Sequence, residues 1–125
     1  MRIYKKFSFE AAHFLPSAPE GHPNSRIHGH SFEVAVEIDG TPAPDSGLIM
    51  HFGDLEDRIE DVRLQLDHHF LNEISGLEYP TLENITLWLW QKLEPGLKGL
   101  ARIEVSRPSC REGCIYTGPE NLESV

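Results

Sequence analysis

The histidines of this chain carry its clearest chemical signal. All seven lie between His13 and His69, and two of them form the tripeptide His28-Gly29-His30. Side chains two positions apart in an extended strand lie on one face, so both imidazoles share a side. If the segment before His13 pairs with the segment after His30, three imidazoles meet. Three neutral imidazoles with one open position are a ligand set of catalytic zinc, although satisfied or surface histidines produce the same short pattern.

A second cluster of chemical groups is the run Asp67-His68-His69. A carboxylate beside an imidazole can fix the tautomer of the ring and stabilise its protonated form, which suits proton transfer. The alternative is a polar loop after a helix, with histidines near the C-terminal end of the helix dipole. The spacing alone favours this second interpretation. The remaining histidines, His22 and His51, have no role that the sequence assigns.

The composition limits the classes of partner. The chain has 125 residues and a formal net charge of −9, with 39% hydrophobic residues. This size predicts one compact domain over residues 1–125. The acidic balance argues against a nucleic-acid or anionic-membrane binder, because both need a basic face. There is no apolar run of about 20 residues and no signal-peptide pattern, so we expect a cytoplasmic protein without a membrane partner.

The apolar periodicity predicts the elements that must position these groups. Leu55, Ile59, Val62 and Leu66 are spaced as on one face of a helix, and Thr81 is placed to cap a second helix. Alternating segments predict strands. The predicted helices are 54–66 and 82–93, and the predicted strands are 2–10, 31–39, 48–52, 100–106 and 113–117. This order predicts an α+β domain with an antiparallel sheet, whose open edges we expect other copies to close.

Five spaced motifs together resemble one family over nearly the whole chain, the 6-pyruvoyl-tetrahydropterin synthase / 6-carboxy-tetrahydropterin synthase family. The bacterial, queuosine-pathway branch is the most similar. The resemblance implies the tunnelling fold, in which ββααββ subunits with two helices on one face join their sheets into a barrel in trimers and hexamers. The motifs are Phe9-Glu10-Ala11-Ala12-His13, His28-Gly29-His30-Ser31-Phe32, Leu66-Asp67-His68-His69, Pro80-Thr81-Leu82-Glu83-Asn84 and Cys114-Ile115-Tyr116.

The resemblance also implies a chemistry. The family is a group of zinc-dependent lyases that remove triphosphate from 7,8-dihydroneopterin triphosphate and rearrange or cleave its side chain. Carried over to this chain, the zinc ligands are His13, His28 and His30, and the pair that assists proton transfer is Asp67 and His68.

We expect Thr81, in the fourth motif, to bind the substrate. A triphosphate also requires local cations in an acidic chain. Arg26 is the first candidate because it lies two residues before His28, and Arg107 and Arg111 are further candidates. The alternative for all three arginines is a solubilising surface charge.

Two positions depart from the family pattern. Asn24 stands where the family has a cysteine general base, and an amide cannot take a proton. Pro108, counted without a gap, stands where the family has a glutamate that anchors the pterin, and proline offers neither a carboxylate nor an N–H. Two functions therefore stay open. One is the standard lyase, and the other is a divergent paralogue that acts on or binds another pterin- or purine-like molecule through the same zinc site.

Overall fold

Five strands and two α-helices make up the part of the chain that the computed structural model describes, residues 1–119. Short 3-10 turns connect several of them. In chain order the elements are β1 (Arg2–His13), β2 (His28–Asp39), α1 (Phe52–Leu66), β3 (His69–Phe70), α2 (Leu82–Leu93), β4 (Leu100–Arg107) and β5 (Glu112–Tyr116). The α+β class is as predicted. The single-domain prediction extended to residue 125, and residues 120–125 lie outside the described part.

The strands form one sheet in the order β3-β1-β2-β4-β5. The β1–β2, β2–β4 and β4–β5 pairs are antiparallel, as predicted. The expectation of a purely antiparallel sheet is wrong at one edge, because β3 runs parallel to β1 through the Ala11–His69 and Ala12–Phe70 pairs. The apolar alternation predicts no strand at residues 69 and 70. The chain leaving α1 returns along the edge of β1 and adds a two-residue strand there.

The predicted strand at residues 48–52 is wrong. The segment cannot pair with β2 as a hairpin partner, because β2 already pairs with β1 on one side and with β4 on the other. The segment is held by a local turn, in which the Ala43 N–H donates to the Leu48 carbonyl at 3.0 Å. Ile49 and Met50 pack against the core as partly buried side chains. The apolar residues that suggested a strand thus serve packing.

Two strands extend further than their alternation predicts. The first was expected to end at residue 10 and ends at His13, and the second was expected to begin at residue 31 and begins at His28. They pair continuously from Arg2–Asp39 to His13–His28. The histidines interrupt the apolar alternation at this end, so the alternation predicts strands that are too short. Backbone pairing continues through the histidines in the structure.

Both helices lie against the same face of the sheet. The predicted apolar stripe of α1 is fully buried, although the helix begins at Phe52 and not at residue 54. The limits of α2 match the prediction, and Thr81 caps it by accepting a hydrogen bond from the Asn84 N–H at 3.1 Å. The core places both helices against alternate residues of the strands, including Phe9, Phe32 and Val105. No helix within residues 1–119 is both long enough and apolar enough to span a membrane.

Candidate functional site

The strand register brings three histidines together. His13 pairs directly with His28, and His30 lies two residues along β2 on the same face. Each ring offers a nitrogen, and these three nitrogens lie within 4.8 Å of one another. The rings meet edge to face, with centroids 4.6 to 5.1 Å apart. The arrangement follows the sequence argument that the pairing of the first two strands would collect these imidazoles.

Two backbone carbonyls fix the orientation of two of these rings, those of His13 and His28. Nδ1 of His13 lies 2.9 Å from the Pro80 carbonyl oxygen, and Nδ1 of His28 lies 2.8 Å from the Arg26 carbonyl oxygen. A carbonyl can only accept, so both Nδ1 atoms carry a proton, and Nε2 is the nitrogen that holds the lone pair in the neutral ring. Such outer hydrogen bonds commonly orient the histidine ligands of metals.

The environment keeps His13 unprotonated. Its side chain is buried, and burial lowers the pKa of His13 from 6.5 to about 4. Its Nε2 atom is buried and has no hydrogen-bond partner within residues 1–119. A buried polar atom without a partner is uncommon in folded proteins. Burial also lowers the pKa of His30, and the neighbouring Arg107 acts in the same direction.

These observations fit a metal ion with one open side. The donor set is three imidazole nitrogens, which is the protein ligand set of many catalytic zinc sites. A cavity of about 630 Å³ is lined by His30, and a second cavity of about 520 Å³ is lined by both His28 and His30. A ligand could therefore reach the cluster without displacing the core.

The predicted proton-transfer pair is well organised. The Asp67 carboxylate accepts from the Glu10 N–H at 2.8 Å and lies 3.0 Å from Nδ1 of His68. Arg63 donates to the same carboxylate at 3.2 Å. The Glu10 N–H, followed by His68, lowers the pKa of Asp67 below its ordinary value. The carboxylate is thus held as an anion that can orient His68.

The position of His68 suits an exchangeable proton. Its side chain is 77% exposed, and its backbone has a left-handed φ of 59°. A hydrogen bond from its N–H to the Glu10 carbonyl holds this conformation. His68 and His30 are both among the residues that line the larger cavity, but much of this lining, including Glu10 and Ser31, lies on the sheet face opposite to the histidine cluster.

The two predicted substrate-binding residues lie close to the cluster in different ways. Arg26 lines the smaller cavity, and its carbonyl holds His28. Thr81 follows Pro80, whose carbonyl holds His13. The Thr81 hydroxyl accepts a bond as a helix cap and keeps its own proton for donation. The structure adds no ligand contact for either residue, so substrate binding stays a prediction.

The two divergent positions are also near the cluster. Asn24 lines the smaller cavity beside His28, and its N–H donates to Nδ1 of His22 at 3.0 Å. Nδ1 of His22 is therefore already engaged as a hydrogen-bond acceptor. Pro108 begins the turn Pro108–Cys110 after β4, and the next residue of this turn, Ser109, lines the larger cavity.

Several functional groups escaped sequence reasoning. The Pro80 and Arg26 carbonyls are backbone atoms, so the identities of these residues give no signal of the contacts that the carbonyls make. The Glu10 N–H that holds Asp67 depends on a contact across 57 positions of the chain. The contact of Arg107 with the cluster had a weak signal, since Arg107 continues the parity of the buried residues Ile103 and Val105.

Comparison with known proteins agrees with this geometry. The model of the 6-pyruvoyl tetrahydropterin synthase family matches residues 2–119. The chain belongs to that family. Among its relatives, the 6-carboxy-5,6,7,8-tetrahydropterin synthase of Synechocystis sp. is 42% identical, covering 94% of this chain and 93% of the relative. The dihydroneopterin monophosphate aldolase of Pyrococcus furiosus is 34% identical, covering 90% of each chain.

Solved structures of the family share the fold. The 6-pyruvoyl tetrahydropterin synthase of Caenorhabditis elegans superposes with a TM-score of 0.82 at 24% identity, covering 95% of this chain and 96% of that chain. At this identity the likeness establishes the fold alone. The predicted family and the predicted tunnelling fold are both confirmed, and the relatives support a tetrahydropterin synthase-type function on pterin substrates.

Proposed function

We propose that this protein is a zinc-dependent lyase of the pterin synthase type that acts on 7,8-dihydroneopterin triphosphate. The observation that carries the proposal is the set of three converging imidazoles at the joined ends of β1 and β2. The name of the relative at 42% identity favours 6-carboxy-tetrahydropterin as the product over 6-pyruvoyl-tetrahydropterin.

Each group at the site has a distinct task in this proposal. His13, His28 and His30 hold the zinc ion. Zinc supplies Lewis acidity, which lowers the pKa of a hydroxyl bound to it. His68 exchanges a proton with the substrate, because its side chain is exposed and lies 3.0 Å from the Asp67 carboxylate. Asp67 orients that ring and stabilises its protonated form.

The second candidate function is a different reaction of a pterin- or purine-like molecule at the same zinc site. It is favoured by Asn24, because this amide lines the cavity beside His28 and cannot serve as a base. The aldolase of P. furiosus, at 34% identity, is named for a pterin monophosphate. An aldolase-type carbon–carbon cleavage is therefore the specific form of this alternative.

We also propose that the chain acts as one domain in a cytoplasmic homotrimer or homohexamer. The pairing of β1 supports assembly, because β3 covers only Ala11 and Ala12 on its outer edge. The other edge of the sheet, β5, has no further strand within the described residues. Unpaired edges of this kind are commonly covered by another chain.

The deciding experiment is incubation of zinc-loaded protein with 7,8-dihydroneopterin triphosphate, followed by mass identification of the products. Formation of 6-carboxy- or 6-pyruvoyl-tetrahydropterin supports the lyase. A pterin with a shortened side chain, accompanied by an aldehyde fragment that keeps the phosphates, supports the aldolase-type alternative, because the two products together account for all substrate atoms. Consumption of no substrate would refute the lyase and an aldolase that acts on the triphosphate.

Two matched variants test the role of the cluster in the same assay. His28→Gln removes one proposed ligand, and His51→Gln removes an exposed imidazole that makes no side-chain cap bond at the start of α1. We expect His28→Gln to lose stoichiometric zinc and turnover together, while His51→Gln retains both. Equal zinc content in the two variants would contradict the ligand assignment.

A further inference from the structure

Arg107 is the charged side chain that lies against the histidine cluster. Its Nη1 atom lies 3.5 Å from Nε2 of His30. It ends β4 on the face that buries Ile103 and Val105, and only 17% of its side chain is exposed. An arginine on the buried face of a strand loses much of its hydration, so its donors need partners in the protein or in a ligand.

The known contacts of Arg107 do not use all of its donors. Nη2 forms an ion pair with Glu112 at 2.7 Å, across the β4–β5 register. Nε is buried and finds no acceptor in the part of the chain that the structure describes. The third contact, to His30, is at the outer limit of a hydrogen bond. The guanidinium thus has at least one donor that the described residues leave without an acceptor.

Metal binding would free a further donor. A guanidinium only donates, so the contact requires a lone pair on Nε2 of His30. A metal ion bound through this nitrogen would use the same lone pair, and both uses cannot occur together. With the cluster occupied, Nη1 of Arg107 would lose this contact, and Nε would still have no acceptor among the described residues.

Two arginines and one carboxylate lie near His30. The charge of Arg107 is paired with that of Glu112, which is half exposed, so the cation in excess among these three groups is Arg26. Arg26 lines a cavity together with His28 and His30. Arginine donors match the oxygens of phosphate and carboxylate groups in geometry and charge.

We propose that Arg107 is a specificity-determining residue that binds an oxyanion of the substrate, a phosphate or a carboxylate, beside the histidine cluster. The proposal deepens the proposed function, because it selects among pterin-like molecules those that carry such a group within reach of the cluster. The binding itself needs neither turnover nor zinc.

The test is titration calorimetry of the metal-free protein with inorganic phosphate and, separately, with acetate. The variants are Arg107→Gln, Arg107→Lys and the control Lys98→Gln, which removes one exposed positive charge just before the opposite end of β4. We expect Arg107→Gln to weaken binding by about tenfold or more. Arg107→Lys should fall between it and the wild type, and Lys98→Gln should match the wild type.

The two probes separate the two sources of the oxyanion. Binding of phosphate assigns a phosphate group, and binding of acetate alone assigns a carboxylate. Equal affinity of Arg107→Gln and the wild type, or no binding of either probe by the folded wild type, would overturn the proposal. Arg107-dependent binding in a protein without lyase activity would leave this inference standing and remove only the proposed lyase.

Discussion

Acid should destabilise the metal-free protein through one buried imidazole. His13 is 1% exposed, and burial lowers its pKa from 6.5 to about 4. Between these two values the unfolded chain binds a proton that the folded chain does not. The free energy of unfolding is therefore complete above pH 6.5 and falls as the pH falls through this window. His13→Asn removes the titrating group and keeps an amide N–H near the position of Nδ1 for the Pro80 carbonyl.

The size of the effect follows from the width of the window. Each pH unit between the two pKa values is worth about 1.4 kcal/mol. The full window, from 6.5 to about 4, is therefore worth about 3 kcal/mol. From pH 6.5 to pH 5, the wild type should lose about 2 kcal/mol more stability than His13→Asn.

Urea unfolding in the presence of a chelator, at several values of pH between 7 and 5, measures this difference. The contributions of all other groups cancel when the two proteins are compared. His51→Asn, which removes an exposed imidazole, should follow the wild type. Parallel curves for the wild type and His13→Asn would show that His13 titrates normally, and the reasoning from its burial would be wrong.

Three further substitutions test the surroundings of the cluster. Asp67→Asn should lower stability near neutral pH, and the difference should vanish as the pH falls through the lowered pKa of Asp67, which unfolding at pH 7 and pH 3 can check. Thr81→Ala should cost about 1 kcal/mol by loss of the α2 cap, and a Thr81→Ser variant that unfolds as readily as Thr81→Ala in urea would exclude capping as the cause. Phe32→Ala should lower the free energy of unfolding by about 3–5 kcal/mol. It should also weaken zinc binding, because the Phe32 ring lies edge-on to His13 and His30. Unchanged zinc affinity, measured by competition with a chromophoric chelator, would contradict this supporting role.

Local patterns in the sequence predicted much of this structure. The apolar spacing of Leu55 to Leu66 and of Leu82 to Leu93 identified both helices, because the period of a helix is visible in any segment that buries one face. The alternation around Phe32 identified β2 and the side on which His28 and His30 lie. The same reasoning failed at residues 48–52, where an apolar run packs against the core without pairing.

The sequence by itself determined the residue types of the site and their likeness to one family. Tertiary structure decided which atoms of those residues meet. The register of β1 and β2 places His13 beside His28, and the Pro80 carbonyl, 67 positions away in the chain, orients the His13 ring. The contact of Arg107 with His30 spans 77 positions. Contacts between distant segments depend on strand pairing and on which groups become buried, and these are properties of the folded chain and not of any local pattern.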